Sequence, residues 1–230
     1  MTPFDQSRYQ VRVEWGVAGL GMLAPSDVVI VVDVLRFSSR VTDRVEAGEE
    51  VPLDAAAHAL SRNGAAVAAH AARLEPAPLV LLGSLRNAGA VARAALAEQT
   101  RRGARTSIAV VAAGELAPAE PAVPAGQNAP AAPAQPPAPL RFAVEDLLGA
   151  GAVIDALGGL GVDHTSPEAA AACEAFRGLR GAVRHLLTAS GSGQELIERG
   201  ARDEVLAAAA VDASPSVPVL RAGVFVAYAG

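Results

Sequence analysis

The sequence predicts an α/β fold, a three-layer α/β/α sandwich built on a mixed, mostly parallel central sheet. Three observations lead there. Short apolar runs, above all the five β-branched residues Val28–Val32, have the character of strands buried on both faces. Segments of helical periodicity lie between them, the alternation that covers a sheet on both sides. The runs end in Asp33, in Gly83-Ser84 and in Gly114-Glu115, and ligands of such sheets bind at the carboxyl ends of strands.

The elements follow in order. Residues Arg8 to Trp15 alternate in polarity and predict an edge strand. GVAGLGMLAPSD reads as a glycine-rich connection, and its glycines lack the spacing of a dinucleotide fingerprint. After the strand that ends at Asp33, residues Ser38 to Ala47 predict a helix with Ser38 or Ser39 as N-cap. EEVPLD predicts a short strand. AAAHALSRNGAAVAAHAARL carries helical periodicity, broken around Asn63-Gly64. PLVLLGS predicts a buried strand, LRNAGAVARAALAEQTRRG a helix, and TSIAVVAAGE a third buried strand. Residues 117 to 139 are almost wholly Ala and Pro and predict a disordered or polyproline-like insertion within a single domain spanning 1–230. A helix is predicted from near Val144. The next helical stretch opens with Ser166 as N-cap and Pro167 at the first helical position. SGQELIERGARDEVLAAAAVD reads as helix, turn and a further element, with a cap at Ser192. VPVLRAGVFVAYAG closes the chain as one strand or a pair.

Composition narrows the function. Hydrophobic residues make up 51% of the chain but aromatics only 3%, so the core must be packed closely from small side chains. All 19 basic residues are arginine. A Schiff-base lysine and a P-loop lysine are thereby excluded, and any anion must be held by Arg, backbone N–H groups or a metal. A net charge of -5 without a basic run argues against nucleic acid as partner. The single cysteine, Cys173, rules out an intrachain disulfide and agrees with a reducing cytoplasm. The polar N-terminus lacks the apolar region of a signal peptide, and no apolar run reaches the ~20 residues of a membrane helix.

Asp33 is the leading candidate for chemistry, because an apolar strand ending in a carboxylate holds that charge at the sheet edge. Arg36, Ser38 and Ser39 follow it with a guanidinium, two hydroxyls and a helix N-terminus, a set that suits phosphate or sulfonate. The plain alternative is that Asp33 caps the helix and Arg36 pairs with it. Glu145 and Asp146 open a helix, where favourable interaction with the helix dipole explains them locally; a shared Mg²⁺ site with Asp33 is the functional reading. Asn87 and the Ser190–Gly193 loop have capping as their first role. Cys173 has the surroundings of a small core residue, and none of the four histidines has a companion at metal-ligand spacing.

Several segments, in order, resemble one family. These are VVIVVDVLRFSSRVTDRVEAG, SRNGAAVAA, VLLGSLRNAGAVA, VAAGE, FAVEDLLGAGAVIDAL, SGSGQELIERGARDEV and VPVLRAG. Together they resemble the 2-phosphosulfolactate phosphatase family, Mg²⁺-dependent enzymes of coenzyme M biosynthesis. The resemblance covers most of residues 28 to 223. It implies an α/β/α fold and hydrolysis of 2-phosphosulfolactate to sulfolactate. It also carries over Asp33, Arg36, Asn63, Gly64, Asn87, Glu145, Asp146 and Asp203. Asp33, Glu145, Asp146 and Asp203 are thereby expected to hold Mg²⁺, or one of the first three to act as nucleophile or base. Arg36, Ser38 and Ser39, with Asn63, Gly64 and Asn87, are expected to hold the phosphorylated or sulfonated acid. Before its Asn-Gly segment the family carries Gly-Glu and Gly-Phe-Asp-x-Gly-Asn-Ser-Pro stretches; here only about twenty residues separate Asp54 from Leu74 and neither motif is found there, and Phe37 and Arg40 stand where small or hydroxyl residues are expected. That departure defines the alternative, a catalytically degenerate member that binds a small anion or a partner. Neither reading fixes the assembly; a homodimer is one form it admits.

Overall fold

The computed structural model describes residues 2–54, 62–116 and 139–229. The proline-rich insertion at 117–139 lies outside the described residues up to 138, as does the first part of the helical stretch that begins at 55. In chain order the strands are β1 (Val11–Trp15), β2 (Val28–Val32), β3 (Val51–Pro52), β4 (Leu79–Gly83), β5 (Ile108–Ala112), β6 (Glu115–Leu116), β7 (Leu140–Arg141), β8 (Pro218–Arg221) and β9 (Val224–Ala227). The helices are α1 (Gly16–Met22), α2 (Phe37–Glu46), α3 (Arg62–Ala71), α4 (Ala88–Arg102), α5 (Val144–Gly159), α6 (Pro167–Leu179), α7 (Val183–Ala189), α8 (Gly191–Glu198) and α9 (Arg202–Ala208).

Seven of these strands form one sheet in the order β1-β5-β2-β4-β8-β9-β3. The four that begin this order run parallel, and β8, β9 and β3 add antiparallel pairings at the far side. β2 lies between β5 and β4, and all five of its residues are fully buried. Each valine so placed contributes ~1.5–3 kcal/mol relative to exposure. Its residues alternate between two cores. Val28, Ile30 and Val32 pack with α4, α5 and the helices beyond them, while Val29 and Val31 pack with α1, α2 and α3. The outcome is the three-layer α/β/α sandwich with a mixed, mostly parallel sheet. Phe37 of α2 meets Phe225 of β9 edge-on at 5.9 Å and closes the second core.

Three local expectations are corrected. GVAGLGM is not a connection but helix α1, because Gly19 and Leu20 are buried against the sheet and that packing outweighs the poor propensity of glycine. Ser38 and Ser39 do not cap α2; Arg36 takes the cap position and both serines lie in the first turn, buried. In the SGSG loop the cap is Ser190, whose hydroxyl accepts a hydrogen bond from the Gly193 N–H, and not Ser192. Elsewhere the pattern holds. Ser166 caps α6 through the Ala169 N–H with Pro167 first in the helix, and the chain closes in the β8–β9 hairpin.

Candidate active site

Four parallel strands put their carboxyl ends on one edge, and Asp33 follows directly on β2. Its carboxylate is held by two backbone donors, Phe37 N–H at 3.1 Å and Gly64 N–H at 3.0 Å. The second is possible because residue 64 is glycine: a Cβ there would lie 2.6 Å from Asp33 Oδ2. The turn after Asp33 is tied by Ser38, which accepts from Asp33 N–H and donates to the Val31 carbonyl. Ser39 donates to the Val34 carbonyl. The two hydroxyls thus shape the segment that presents Asp33. Ser38 is fully buried.

Asp146, in the first turn of α5, reaches across the same edge. Its carboxylate accepts from Val34 N–H at 2.8 Å and Gly114 N–H at 2.9 Å. These residues stand just past the last paired positions of β2 and β5, Val32 and Ala112. One side chain therefore fastens both strand exits. Gly114 adopts φ +67°, a conformation that favours glycine. Burial, then the charges of Asp33 and Glu145, push the Asp146 carboxyl well above its ordinary range, outweighing the opposing pull of its two backbone donors. Glu145 is buried beside it, and no described residue donates a hydrogen bond to its carboxylate.

Glu115 is the residue that the sequence reading passed over in choosing side chains. It accepts from Asn63 Nδ2 at 3.3 Å and from the Ser192 hydroxyl at 3.2 Å, joining the start of α3 to the start of α8. Its signal was its place directly after Gly114 at a strand exit. Asn87 is fully buried, and its amide is engaged within the protein. It accepts from Ser84 N–H and the Ser84 hydroxyl, and donates to the carbonyls of Leu82 and Ser216. Arg36 and Asp203 are not among the partners of Asp146. They line a surface cleft of about 570 Å³ with Ser39, Arg40 and Glu204.

Among the described residues, no three His, Cys, Asp or Glu side chains are grouped so as to hold a metal ion. The acidic set is no closed protein cage. It fits the sparser habit of Mg²⁺, which keeps several waters and takes one or two carboxylates together with substrate oxygens. Glu145, together with Asp33 and Asp146 through lone pairs not taken by backbone N–H groups, is what the edge could offer such an ion.

Fold and site together define a class, an α/β/α protein with an acidic site at the carboxyl ends of its parallel strands. Within that class the family model described as 2-phosphosulpholactate phosphatase matches residues 57–223, and the chain belongs to that family. Its function is accordingly 2-phosphosulfolactate phosphatase-like. The matched span takes in Asn63, Gly64, Asn87, Glu145, Asp146 and Asp203; Asp33, Arg36, Ser38 and Ser39 precede it. No curated protein matches the chain. Among the described residues no helix is long and apolar enough to cross a membrane.

Proposed function

We propose that the protein is a Mg²⁺-dependent phosphatase that hydrolyses 2-phosphosulfolactate, or a close phosphorylated acid, to the free hydroxy acid and inorganic phosphate. The observation that carries this reading is the placement of Asp33, Asp146 and Glu145 at the exits of β2 and β5, all three buried, with Asp33 and Glu145 each within electrostatic reach of Asp146. Mg²⁺, held by Glu145 together with Asp33 and Asp146, would supply charge neutralisation at the phosphoryl oxygens.

The chain's own groups do the rest. Both Asp33 oxygens accept a backbone N–H, which fixes their direction and lowers their nucleophilicity. That suits orienting an ion and a water better than forming an acyl phosphate. Asp146 holds the two strand exits at fixed separation and so positions Asp33. Arg36, on the cleft that adjoins the same turn, takes an anionic group of the acid. A degenerate, binding-only member is the second reading, favoured by the lack of a three-residue metal group among the described residues.

The test is phosphorus NMR of purified protein with 2-phosphosulfolactate and with a panel of phosphorylated hydroxy acids, in Mg²⁺ and in excess EDTA. Growth of the inorganic phosphate signal in Mg²⁺ alone is expected. No release from any of these acids would leave binding without catalysis as the correct reading.

A further inference from the structure

Glu204, on α9, is shared by two arginines of α2. Arg36 Nη1 lies 3.0 Å from one of its carboxylate oxygens and Arg40 Nη2 lies 3.2 Å from the other. The three side chains are partly exposed and line the 570 Å³ cleft. Two further charges of the cleft are paired elsewhere. Arg44 is bound to Glu49, and Asp43 to Arg86. Arg86 also donates to the Ala207 carbonyl, and its buried Nε has no acceptor among the described residues. Asp203 forms no ion pair among the described residues. Two guanidinium groups one helical turn apart, facing open volume and bridged by a single carboxylate, present the geometry of an oxyanion site with a protein group in the oxyanion's place.

We infer that Arg36 and Arg40 form a binding site for a dianionic tetrahedral oxyanion, and that Glu204 is the resident counter-ion it displaces. Glu204 brings one negative charge to two positive ones; a phosphate brings two, together with oxygens arranged to accept from both forks. A singly charged acid gains little by the exchange, so the site discriminates by charge. Partly exposed ion pairs are weak, which keeps Glu204 displaceable. The site rests on the reading that Arg36 takes an anionic group of the substrate, and deepens it: that group is the phosphate ester, the substrate's one dianionic group, and Arg40 and Glu204 set which acids are admitted.

The experiment is calorimetric titration of inorganic phosphate at pH 8 into full-length protein in EDTA, with methanesulfonate as the singly charged probe. Glu204→Gln should tighten phosphate by about tenfold, the scale of two partly exposed pairs released at once. Arg40→Ala should weaken it by at least as much, and methanesulfonate should bind weakly throughout. Asp203→Asn removes the same charge from the same cleft without touching either arginine, and should change phosphate affinity by less than about twofold. Equal gains from Glu204→Gln and Asp203→Asn would reduce the effect to net charge and overturn the inference. So would an unchanged affinity in Glu204→Gln or Arg40→Ala. These positions are on the surface, and Glu204→Ala serves as a second variant should Glu204→Gln melt early. Turnover on the same preparations separates the two claims. If 2-phosphosulfolactate is hydrolysed while Glu204→Gln leaves phosphate binding unaltered, this site is wrong and the phosphatase reading stands. If no acid is hydrolysed while Glu204→Gln tightens phosphate, the site stands and the phosphatase reading is wrong.

Discussion

Asp146 shows how much a single side chain does at this edge. Truncation, Asp146→Ala, leaves the N–H groups of Val34 and Gly114 buried without an acceptor. At ~1–3 kcal/mol for each orphaned donor, the loss should be about 2–6 kcal/mol by denaturant unfolding. The same residue sets a pH dependence. Its carboxyl is pushed well above the ordinary value of 3.8 by burial first, then by Asp33 and Glu145. The folded chain therefore keeps a proton that the unfolded chain has lost. The stability this group contributes is full below 3.8 and is lost as pH rises from there through the raised value. Asp146→Asn cannot titrate. Relative to that variant, wild type should lose stability as pH rises above 3.8 in EDTA, and Mg²⁺ should offset the loss; parallel melting curves would contradict it. Gly64→Ala would press a Cβ to within 2.6 Å of Asp33 Oδ2 and 2.9 Å of Phe37. It should lower activity more than it lowers melting temperature. Asp33 was legible because a buried run of β-branched residues ends on it. The role of Asp146 was not, since its two donors lie 112 and 32 residues away and come together only in the fold.

At the scale of elements, α5 is the helix that makes the site, and it is packed on two sides. Against the sheet, Gly149 faces Val32 and Val34; against α6, Gly151 faces Ala172 and Phe176. A Cβ at Gly151 would lie 2.1 Å from the Ala172 carbonyl oxygen, where no side chain can yield. Gly151→Ala should therefore cost at the upper end of the ~1–3 kcal/mol typical of overpacking, read as a lower denaturant midpoint with unchanged slope. A midpoint equal to wild type would mean that α6 sits farther away than described. The helices α5 and α6 were legible from their periodicity and from the Ser166-Pro167 start. Helix α1 was not, because GVAGLGM has weak propensity and becomes helical through burial of Gly19 and Leu20. The two serines of SGSG offered equivalent caps locally. The choice of Ser190 depends on Gly193 sitting tightly under the end of α7, where a Cβ would meet the Leu187 carbonyl oxygen at 1.8 Å.

The whole molecule converts that local order into one edge. Four parallel strands bring chain segments from residues 33, 64, 114 and 146 to the same end of the sheet, and the later helices bring Ser192 and Glu204 to join them. The layer architecture and most of its elements were legible in the alternation of buried runs and periodic segments. What joins the segments was not, because hydrogen bonds such as Glu115 to Asn63 and Ser192 leave no mark on local pattern. The central claim is that Asp33 is the carboxylate on which hydrolysis depends. It is tested most directly by comparing phosphate release from 2-phosphosulfolactate by wild type and by Asp33→Asn at saturating Mg²⁺, with both proteins shown to be folded. The account predicts a loss of at least ~10²-fold in the variant, the scale of removing one preorganised electrostatic group at the reacting centre. A folded Asp33→Asn protein that releases phosphate within a few-fold of wild type would contradict it.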